Sequence, residues 1–414
     1  MNRNKGIARC GFCGRTSAEG ANVVVGPSGH AICDECAKKV LGIIADENAS
    51  SGQNKKKFSL GKIPTPREIV EILDQHVIGQ DDVKKTLATA VYNHYSRLAS
   101  IGKEEEDNDE LKDVTVEKSN IIMMGPTGCG KTLLAKTIAK ILNVPFAIAD
   151  ATTLTEAGYV GEDVENIVRY AYNNADGDKD RTEMAIIWVD EIDKIASKTQ
   201  NVNITRDVSG EGVQQALLKI IEGTTCRFPP NGGRKHPDQQ LVEIDTSNIL
   251  FICGGAFVGL DKIVANRVNS ENGSGVIGFG GESDNKEEKK NLSNHVRPED
   301  LVEFGLIPEF VGRLPIIAEL KDLTEDELVK VLKEPKNSIT KQYRKLLRQN
   351  GIELEYEEEA LRSLARRAIE RHTGARGLRA EMEAVMKEIM FTAPENKEQG
   401  KVIVITEDMV RNAA

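Results

Sequence analysis

The sequence predicts an α/β protein in three parts: a small cysteine-rich module, a large domain with a parallel sheet, and a smaller, mostly helical domain. Three observations support this prediction. Four cysteines lie within the first 36 residues, strand-like and helix-like patterns alternate from Ser119 onwards, and helical periodicity dominates from about Asp322. The chain of 414 residues is long enough for about two to three domains, each with its own core.

Composition limits the classes of function. A formal net charge of −10 argues against a protein whose main task is to hold nucleic acid, because that task requires a basic face. The longest apolar stretch, residues 249–260, is too short to cross a bilayer. The N-terminal residues are polar and lead into no apolar signal segment. We therefore expect a cytoplasmic protein with no membrane partner and no specific nucleic-acid partner.

The cysteine-rich module contains two Cys-x-x-Cys pairs. Each pair places two thiolates on one side of a tight turn, and two such turns complete a tetrahedral set for Zn²⁺. The module has few apolar residues, so we expect metal binding to drive its folding. Two disulfides in an exported domain are the alternative, which the rest of the chain does not favour. We predict a treble-clef-like zinc-binding domain over residues 1–45, with the ligands Cys10, Cys13, Cys33 and Cys36.

Changes in composition predict where the other domains begin and end. Residues 46–62 are polar and predict a flexible linker, followed by a large domain over 63–320 and a small domain over 321–414. Two stretches are expected to be exposed insertions: Lys103–Asp113, which is rich in carboxylates, and Asn269–Asn294, which is polar and rich in glycine. Periodicity in the small domain predicts four helices and a final strand, at Glu325–Leu332, Ile339–Gln349, Glu358–Arg371, Leu378–Phe391 and Lys401–Thr406.

A P-loop pattern lies near the start of the large domain. A buried strand over residues 120–124 leads into Gly-Pro-Thr-Gly-Cys-Gly-Lys-Thr, and a helical pattern follows. The glycines let backbone N–H groups turn towards phosphates, and the helix N-terminus favours negative charge. Lys131 is expected to contact the β- and γ-phosphates, and the Thr132 hydroxyl to bind Mg²⁺. We predict that ATP and Mg²⁺ contact Gly125, Pro126, Thr127, Gly128, Cys129, Gly130, Lys131, Thr132 and Leu133.

A second apolar strand, residues 185–189, ends in two adjacent carboxylates. This pattern is a Walker B motif, in which Asp190 would hold Mg²⁺ and Glu191 would orient and deprotonate the attacking water.

Cys129 lies at a helix N-terminus, which tends to lower the pKa of a thiol and gives a hypothesis of redox sensitivity. We favour the simpler interpretation that Cys129 is a tolerated variant at a position where only the backbone matters.

Motifs on either side of these two resemble those of the AAA+ ATPases. Residues 77–80, Val-Ile-Gly-Gln, resemble the adenine-side motif of that family, which adds Val77 and Ile78 to the nucleotide site. Residues 312–315, Gly-Arg-Leu-Pro, resemble its arginine finger, and this implies that Arg313 reaches the γ-phosphate in a neighbouring subunit. An arginine supplied by a neighbour makes hydrolysis depend on assembly, so a ring is implied.

Residues 374–379, Gly-Ala-Arg-Gly-Leu-Arg, resemble sensor 2 of the same family, which implies that Arg376 reads the nucleotide from the small domain. Without this context, Arg376 or Arg313 would more simply be one half of a surface ion pair. The chain departs from the family at the end of the strand that begins at Asn248. Many members have a polar sensor 1 there, whereas this chain has Gly254 and Gly255, so no sensor 1 is assigned.

Three further motifs concern what such a motor would act on. Residues 158–161, Gly-Tyr-Val-Gly, suit a loop that pushes on polypeptide, although an ordinary turn with a packed Tyr is the alternative. Residues 234–236, Arg-Lys-His, form a basic tip that would attract carboxylates, or else a solvated loop. Residues 275–281 place an Ile and a Phe in a glycine-rich segment, which suits docking unless both side chains fold back onto the body.

Because these motifs occur along the chain in the order that the family uses, the chain resembles the Clp/Hsp100 unfoldases. The resemblance covers essentially the whole length. It implies a homohexamer that recognises proteins with C-terminal or N-terminal degrons, unfolds them through an axial pore and delivers them to the ClpP peptidase. It also implies a chaperone or disassembly activity without the peptidase, a second pore loop over 197–209, adaptors bound by the zinc domain, and a bacterial-type cytosol. The implied roles are pore loops for Tyr159, Val160, Arg234, Lys235 and His236, and peptidase docking for Ile277, Gly278 and Phe279.

Two other classes of function fit the sequence less well. A nucleic-acid motor with a zinc ribbon is disfavoured by the acidic net charge and by a loop that is aromatic and aliphatic rather than cationic. An ATP-binding scaffold without turnover is disfavoured by the intact Lys131, Asp190, Glu191 and Arg313. No protease nucleophile constellation is visible, so we expect an ATP hydrolase that requires a partner for proteolysis.

Overall fold

The computed structural model describes residues 9–16, 22–26, 29–40, 62–100, 114, 116–155, 162–197, 210–230, 241–271, 296–395 and 401–413. The chain divides into two compact units, Met1–Ser59 and Leu60–Ala414. The division into four parts that the sequence suggests stays a prediction. Within the described ranges, no helix combines the length and the apolar composition that a bilayer span needs.

The first unit is a small hairpin followed by helical residues. Strands β1 (Val23–Val25) and β2 (Ala31–Cys33) pair antiparallel, with Val23 opposite Cys33. Residues 34–40, called α1, are helical. The turn that contains Cys10 is tied to the hairpin, because Gly11 N donates to Ala31 O at 2.8 Å. These bonds bring the two Cys-x-x-Cys turns to the same place.

A five-stranded sheet forms the centre of the second unit. Its order is β11–β3–β10–β7–β4, and every neighbouring pair is parallel. The strands of this unit in chain order are β3 (Ile121–Met124), β4 (Phe146–Asp150), β5 (Leu154–Thr155), β6 (Glu162–Asp163), β7 (Ile186–Asp190), β8 (Thr225–Phe228), β9 (Val242–Asp245), β10 (Leu250–Gly255), β11 (Ile316–Glu319), β12 (Glu353–Tyr356) and β13 (Val402–Ile405).

Helices cover both faces of the sheet, as the buried strands require. Successive side chains of a strand point to opposite faces, so Ile121 and Met123 join one core while Ile122 and Met124 join the other. The first core also contains side chains of α2, α3 and α4, and the second contains those of α5, α7, α8, α9 and α10. The helices are α2 (Pro66–Asp74), α3 (Asp81–Ser100), α4 (Lys131–Leu142), α5 (Asn166–Asn174), α6 (Lys179–Thr182), α7 (Glu211–Glu222), α8 (Leu260–Glu271), α9 (Pro298–Phe304) and α10 (Pro308–Gly312).

The C-terminal part has its own core and is mostly helical. Its elements are α11 (Glu325–Lys333), α12 (Ile339–Arg348), α13 (Glu358–Glu370), α14 (Gly374–Thr392) and α15 (Glu407–Asn412), with β12 and β13 paired parallel. The four predicted helices and the final strand are confirmed. α14 begins one turn earlier than predicted, at Gly374, and β12 was not predicted, because four alternating residues are too short a signal.

Candidate nucleotide and zinc sites

The P-loop joins the end of β3 to the start of α4. Gly125, Gly128 and Gly130 all adopt positive φ angles, of 145°, 83° and 103°, which glycine tolerates far better than other residues. Space is a second constraint, because a Cβ on Gly128 would lie 2.4 Å from the carbonyl oxygen of Thr373. The loop therefore packs directly against the residue that precedes α14 of the small domain.

Lys131 and Thr132 have the positions that a phosphate and Mg²⁺ site needs. The Lys131 ammonium donates to the carbonyls of Gly125 at 2.6 Å and Pro126 at 2.9 Å, so it lies over the loop, where phosphate oxygens could replace those carbonyls. Thr132 Oγ1 is 3.5 Å from Asp190 Oδ2, which brings together two hard oxygen ligands from α4 and β7. The residues present thus fit Mg·ATP.

Glu191 has a strained backbone. Its φ of 56° and ψ of 32° are left-handed, a conformation that costs a residue with a side chain about 1–3 kcal/mol and is concentrated at functional sites. The turn separates the two carboxylates: Asp190 Oδ1 accepts a hydrogen bond from Glu191 N at 3.0 Å, whereas the Glu191 side chain is exposed. This geometry suits two different roles for adjacent carboxylates.

Other predicted contact residues lie around the P-loop. Val77 is buried, and its Cγ1 is 4.0 Å from where a Cβ on Gly130 would be. Ile78 is half-buried, and the Leu133 side chain is exposed. The helix N-terminus does not give Cys129 a lowered pKa, so the redox hypothesis, which we did not favour, loses its basis. Burial raises the pKa of this thiol, and this effect outweighs the opposing effect of Lys131.

Gln80 ties the large part of the unit to the segment that leads into α11. Its side-chain amide donates to Lys321 O at 2.7 Å, and its amide oxygen accepts from Lys321 N at 3.0 Å. Leu320 N donates to Met124 O at 2.7 Å, directly before the P-loop. Residues beside the nucleotide site, Gln80 and Met124, therefore hold the segment that joins the sheet to the small domain. The sequence motif alone did not indicate this link.

Arg376 lies in the first turn of α14, beside the P-loop. Ala375 N donates to Gly128 O at 3.2 Å, and a Cβ on Gly128 would be 3.2 Å from Arg376 N. The Arg376 side chain is exposed. The backbone thus brings Arg376 to the edge of the nucleotide site, as a sensor on the small domain requires.

Arg313 lies at the edge of the sheet where the parallel strands begin, whereas the P-loop of the same chain lies at the edge where they end. It precedes β11, which runs parallel to β3 with Ile316 opposite Ile121, whereas the P-loop follows the far end of β3. Four strand residues span about 13 Å, so Arg313 is remote from Lys131. The exposed Arg313 side chain donates from Nε to Glu222 Oε1 at 2.8 Å.

The structure explains the glycines at the end of β10. A Cβ on Gly254 would lie 2.1 Å from the Trp188 ring, and one on Gly255 would lie 2.6 Å from Asp193 Oδ1. Asp193 is buried, and its Oδ1 accepts from Ala256 N at 3.2 Å. A side chain in place of either glycine is therefore excluded by Trp188 and Asp193, and sequence reasoning missed Asp193 as the polar group beside this strand.

The four predicted zinc ligands lie together in the first unit. One potential ligand atom from each of Cys10, Cys13, Cys33 and Cys36 lies within 4.8 Å of the others, and the sulfurs of Cys13 and Cys33 are 3.6 Å apart. Tetrahedral Zn–S bonds of about 2.3 Å separate the sulfurs by roughly 3.8 Å, so the cluster fits Zn²⁺.

Backbone N–H groups favour a thiolate at Cys10, whereas the neighbouring thiols oppose one at Cys36. N–H groups directed at Cys10, first that of Cys13 and then that of Cys33, lower the pKa of the Cys10 thiol to about 6. The pKa of Cys36 is raised to about 12, chiefly by its hydrogen bonds to Cys13 and Cys33. Because four thiolates at this distance repel one another, only a cation among them lets all four ionise together.

Removal of Zn²⁺ is expected to unfold the first unit and leave the second folded. Among the described residues of the first unit, the buried apolar side chains are those of Cys10 and Cys33, so we expect metal binding to supply most of its folding free energy. Amide hydrogen exchange should show that protection of residues 22–26 and 29–40 is lost in Cys33→Ser but kept in the neighbouring control Asp34→Asn. Unchanged protection in Cys33→Ser would contradict the assignment of Cys33 as a ligand.

Three predicted functional motifs lie outside the described residues: those that contain Tyr159 and Val160, then Arg234, Lys235 and His236, then Ile277, Gly278 and Phe279. Nearly all of the predicted second pore loop, residues 198–209, lies outside them as well. The elements on either side are described. β8 and β9, for example, precede and follow residues 231–240 and pair antiparallel, with an ion pair of 2.8 Å between Arg227 and Glu243.

Together, the fold and the sites define an AAA-type P-loop ATPase with a four-cysteine zinc site, and its cofactors are ATP, Mg²⁺ and Zn²⁺. Residues 116–317 match the AAA domain (Cdc48 subfamily), residues 323–405 match the C-terminal D2-small domain of ClpB, and residues 8–46 match the ClpX C4-type zinc finger. The chain belongs to the ClpX family.

Two relatives support this assignment over the full length. The ATP-dependent Clp protease ATP-binding subunit ClpX of Treponema denticola is 50% identical over 415 residues, which cover 100% of this chain and 96% of the relative. The protein of the same name from Borrelia duttonii is 49% identical over 410 residues, which cover 99% of this chain and 92% of the relative.

Proposed function

We propose that the protein is an ATP-driven protein unfoldase and translocase that works as a homohexameric ring and delivers substrates to the ClpP peptidase. One observation carries the proposal: Arg313 lies at the sheet edge opposite the P-loop of its own chain. An arginine there reaches a nucleotide only in a second copy, so a ring is supported. The names of both relatives, as ATP-binding subunits of a Clp protease, support the peptidase as partner.

Within each subunit, we assign roles from the geometry at the nucleotide site. Lys131 binds the β- and γ-phosphates, and Thr132 and Asp190 hold Mg²⁺. Glu191 holds the attacking water and accepts its proton, and Arg376 reports the bound nucleotide to the small domain. Bound ATP supplies the phosphoanhydride whose hydrolysis drives the cycle.

Contacts between the P-loop and the small domain couple hydrolysis to motion. Gly128 packs against Thr373, and Gln80 holds Lys321. A change at the phosphates therefore acts on the small domain at two places, its first residue and the residue before α14. We propose that the angle between the large (63–320) and small (321–414) domains changes with each turnover. The zinc domain (1–45) and linker (46–62) recruit adaptors and substrates outside this cycle.

Substrate handling is assigned to the three motifs outside the described residues. We propose that Tyr159 and Val160 grip the polypeptide in the axial pore, and that residues 234–236 attract carboxylate-ended degrons at its entrance. Residues 277–279 dock on the peptidase. Without the peptidase, the same ring would act as a chaperone that disassembles complexes.

Tyr159→Ala is expected to slow the unfolding of a stable, degron-tagged protein by at least about tenfold while ATP hydrolysis continues. The aromatic ring grips the chain by steric and apolar contact, which Ala cannot provide. Loss of fluorescence from a tagged fluorescent protein measures unfolding, and phosphate release measures turnover. Tyr92→Phe, at a half-buried tyrosine on α3, serves as control, and wild-type unfolding by Tyr159→Ala would refute the pore-loop role.

Phe279→Ala is expected to reduce degradation by added ClpP several-fold, with unfolding unchanged. Large apolar side chains dominate the binding energy of small docking segments. Degradation of a labelled substrate should be compared with unfolding of the same substrate when no peptidase is added. Wild-type degradation rates at limiting peptidase would exclude Phe279 from docking.

A further inference from the structure

A basic groove lies on the small domain, and none of its lining residues belongs to the nucleotide site. Its cavity has a volume of about 620 Å³ and is lined by Lys341, Arg344, Lys345 and Arg348 of α12. Gly351, Ile352, Glu353 and Leu354, from the start of β12 and the turn before it, complete the lining, so four cations face a single carboxylate, which forms none of the described ion pairs. The four cations follow the spacing i, i+3, i+4 and i+7, which places them on one side of the helix. All four side chains are exposed.

The cations of this groove lack carboxylate partners in the described part of the chain. Lys341 donates only to the backbone carbonyls of Glu334 and Pro335, at 2.8 and 2.9 Å. Arg344, Lys345 and Arg348 form none of the described ion pairs. Elsewhere in the small domain, six arginines are paired, in Arg362–Asp326, Arg366–Glu325, Arg367–Glu381, Arg371–Glu381, Arg379–Glu383 and Arg411–Glu407.

A concave row of unpaired cations on a chain with a net charge of −10 calls for an anionic partner. The chain itself contains a matching sequence. Residues 104–110, Glu-Glu-Glu-Asp-Asn-Asp-Glu, carry six carboxylates and lie outside the described residues. We call them the acidic segment. Nucleic acid is a less suitable partner, because the net charge of the whole chain opposes its approach.

The residues that flank the acidic segment lie at one edge of the sheet. Before it, Arg97 at the end of α3 donates to Asn248 Oδ1 at 3.2 Å, just ahead of β10. After it, Lys118, which lies just ahead of β3, donates to Thr246 O at 3.1 Å. Both contacts lie at the edge where the strands begin, which is also the edge of Arg313.

The small domain follows the opposite edge of the sheet, after Leu320. If Arg313 reaches the nucleotide of a neighbour, its edge faces the neighbour's P-loop and small domain. The described residues on either side of the acidic segment then lie on the side of the subunit that faces the small domain of the next. We propose that the acidic segment of one copy binds the basic groove of a second copy, an inference that rests on the proposed ring.

Zero-length cross-linking tests this contact in the full-length protein. ¹⁴N- and ¹⁵N-labelled chains are mixed, assembled with Mg·ATP, and treated with a carbodiimide that joins carboxylates to lysine amines. We expect mixed-isotope cross-links between Lys341 or Lys345 and residues 104–110. Cross-links only within chains of one isotope, or none from these lysines while other cross-links form, would overturn the proposal.

Native mass spectrometry of the same sample distinguishes the proposed ring from the proposed contact at the groove. A chain that stays monomeric with Mg·ATP contradicts the ring, whereas a hexamer without these cross-links contradicts only the groove contact. Binding of an oligonucleotide that the groove variants abolish, without the cross-links, would reassign the groove to nucleic acid and also overturn the proposal.

Charge reversal supplies an independent test. Arg344→Glu with Arg348→Glu is expected to raise the concentration needed for assembly by about tenfold at low salt, and less at high salt. Adding Glu105→Lys and Asp107→Lys should restore assembly. The control Arg411→Glu changes an exposed arginine of the same domain outside the groove. Failure of the second pair to rescue the first would show that the two surfaces do not meet.

Discussion

Glu191→Gln is expected to reduce steady-state ATP hydrolysis by about 10²–10⁴-fold while nucleotide binding persists. The amide has the same size as the carboxylate, so the left-handed turn at Glu191 and the hydrogen bond from its N–H to Asp190 can remain. What is lost is the group that accepts the proton of the attacking water. Phosphate release measures hydrolysis, and a fluorescent ATP analogue measures binding.

The matched control is Glu211→Gln, which neutralises an exposed carboxylate in the first turn of α7; among the described residues, its side chain accepts a hydrogen bond from Gln215 alone. Its hydrolysis rate should equal that of the wild type. If Glu191→Gln hydrolyses ATP at a near-normal rate, Glu191 is not the general base. If it loses nucleotide binding as well, its role is in the architecture of the site.

Arg313→Ala is expected to lower hydrolysis by about 10³-fold or more without preventing assembly, because an arginine finger acts on the charge that develops in the transition state. The exposed pair with Glu222 contributes about 0–1 kcal/mol, so its loss leaves the fold intact. Native mass checks the assembly of the variant, and phosphate release checks its turnover. Arg227→Ala, which breaks another exposed pair, is the control.

Mixing two inactive variants tests whether Arg313 acts between subunits. In a ring that contains both Arg313→Ala and Glu191→Gln chains, some interfaces combine an intact Glu191 from one chain with an intact Arg313 from its neighbour. Activity should therefore reappear on mixing. If Arg313 served the nucleotide of its own chain, every site would lack one group, and the mixture would stay as inactive as its components.

The parts of the fold that were predicted from the sequence are those with local signals. The P-loop has a fixed spacing, the sheet strands are continuous apolar runs, and the helices of the small domain show regular apolar spacing. The same signals predicted the cysteine cluster, because two tight turns need no knowledge of the rest of the chain.

The features that were not predicted depend on distant contacts. Gly254 and Gly255 looked like a missing sensor, and only the packing of Trp188 and Asp193 against β10 shows why no side chain fits. The helix terminus alone suggested a lowered pKa for the Cys129 thiol, whereas burial, which depends on the packing of the whole domain, raises it. Gln80 meets Lys321 across 241 positions of sequence, which no local pattern encodes.

Trp188, whose ring packs against Gly254, is also an intrinsic fluorescence probe of the ATPase core. Trp188 is the only tryptophan of the chain, is fully buried, and its indole N–H has no hydrogen-bond partner among the described residues. It stands two positions before Asp190 on β7. Its emission should therefore be that of an indole shielded from water and should shift to longer wavelength when the ATPase core unfolds. Because the first unit has no tryptophan, the same signal stays silent while that unit gains or loses its metal.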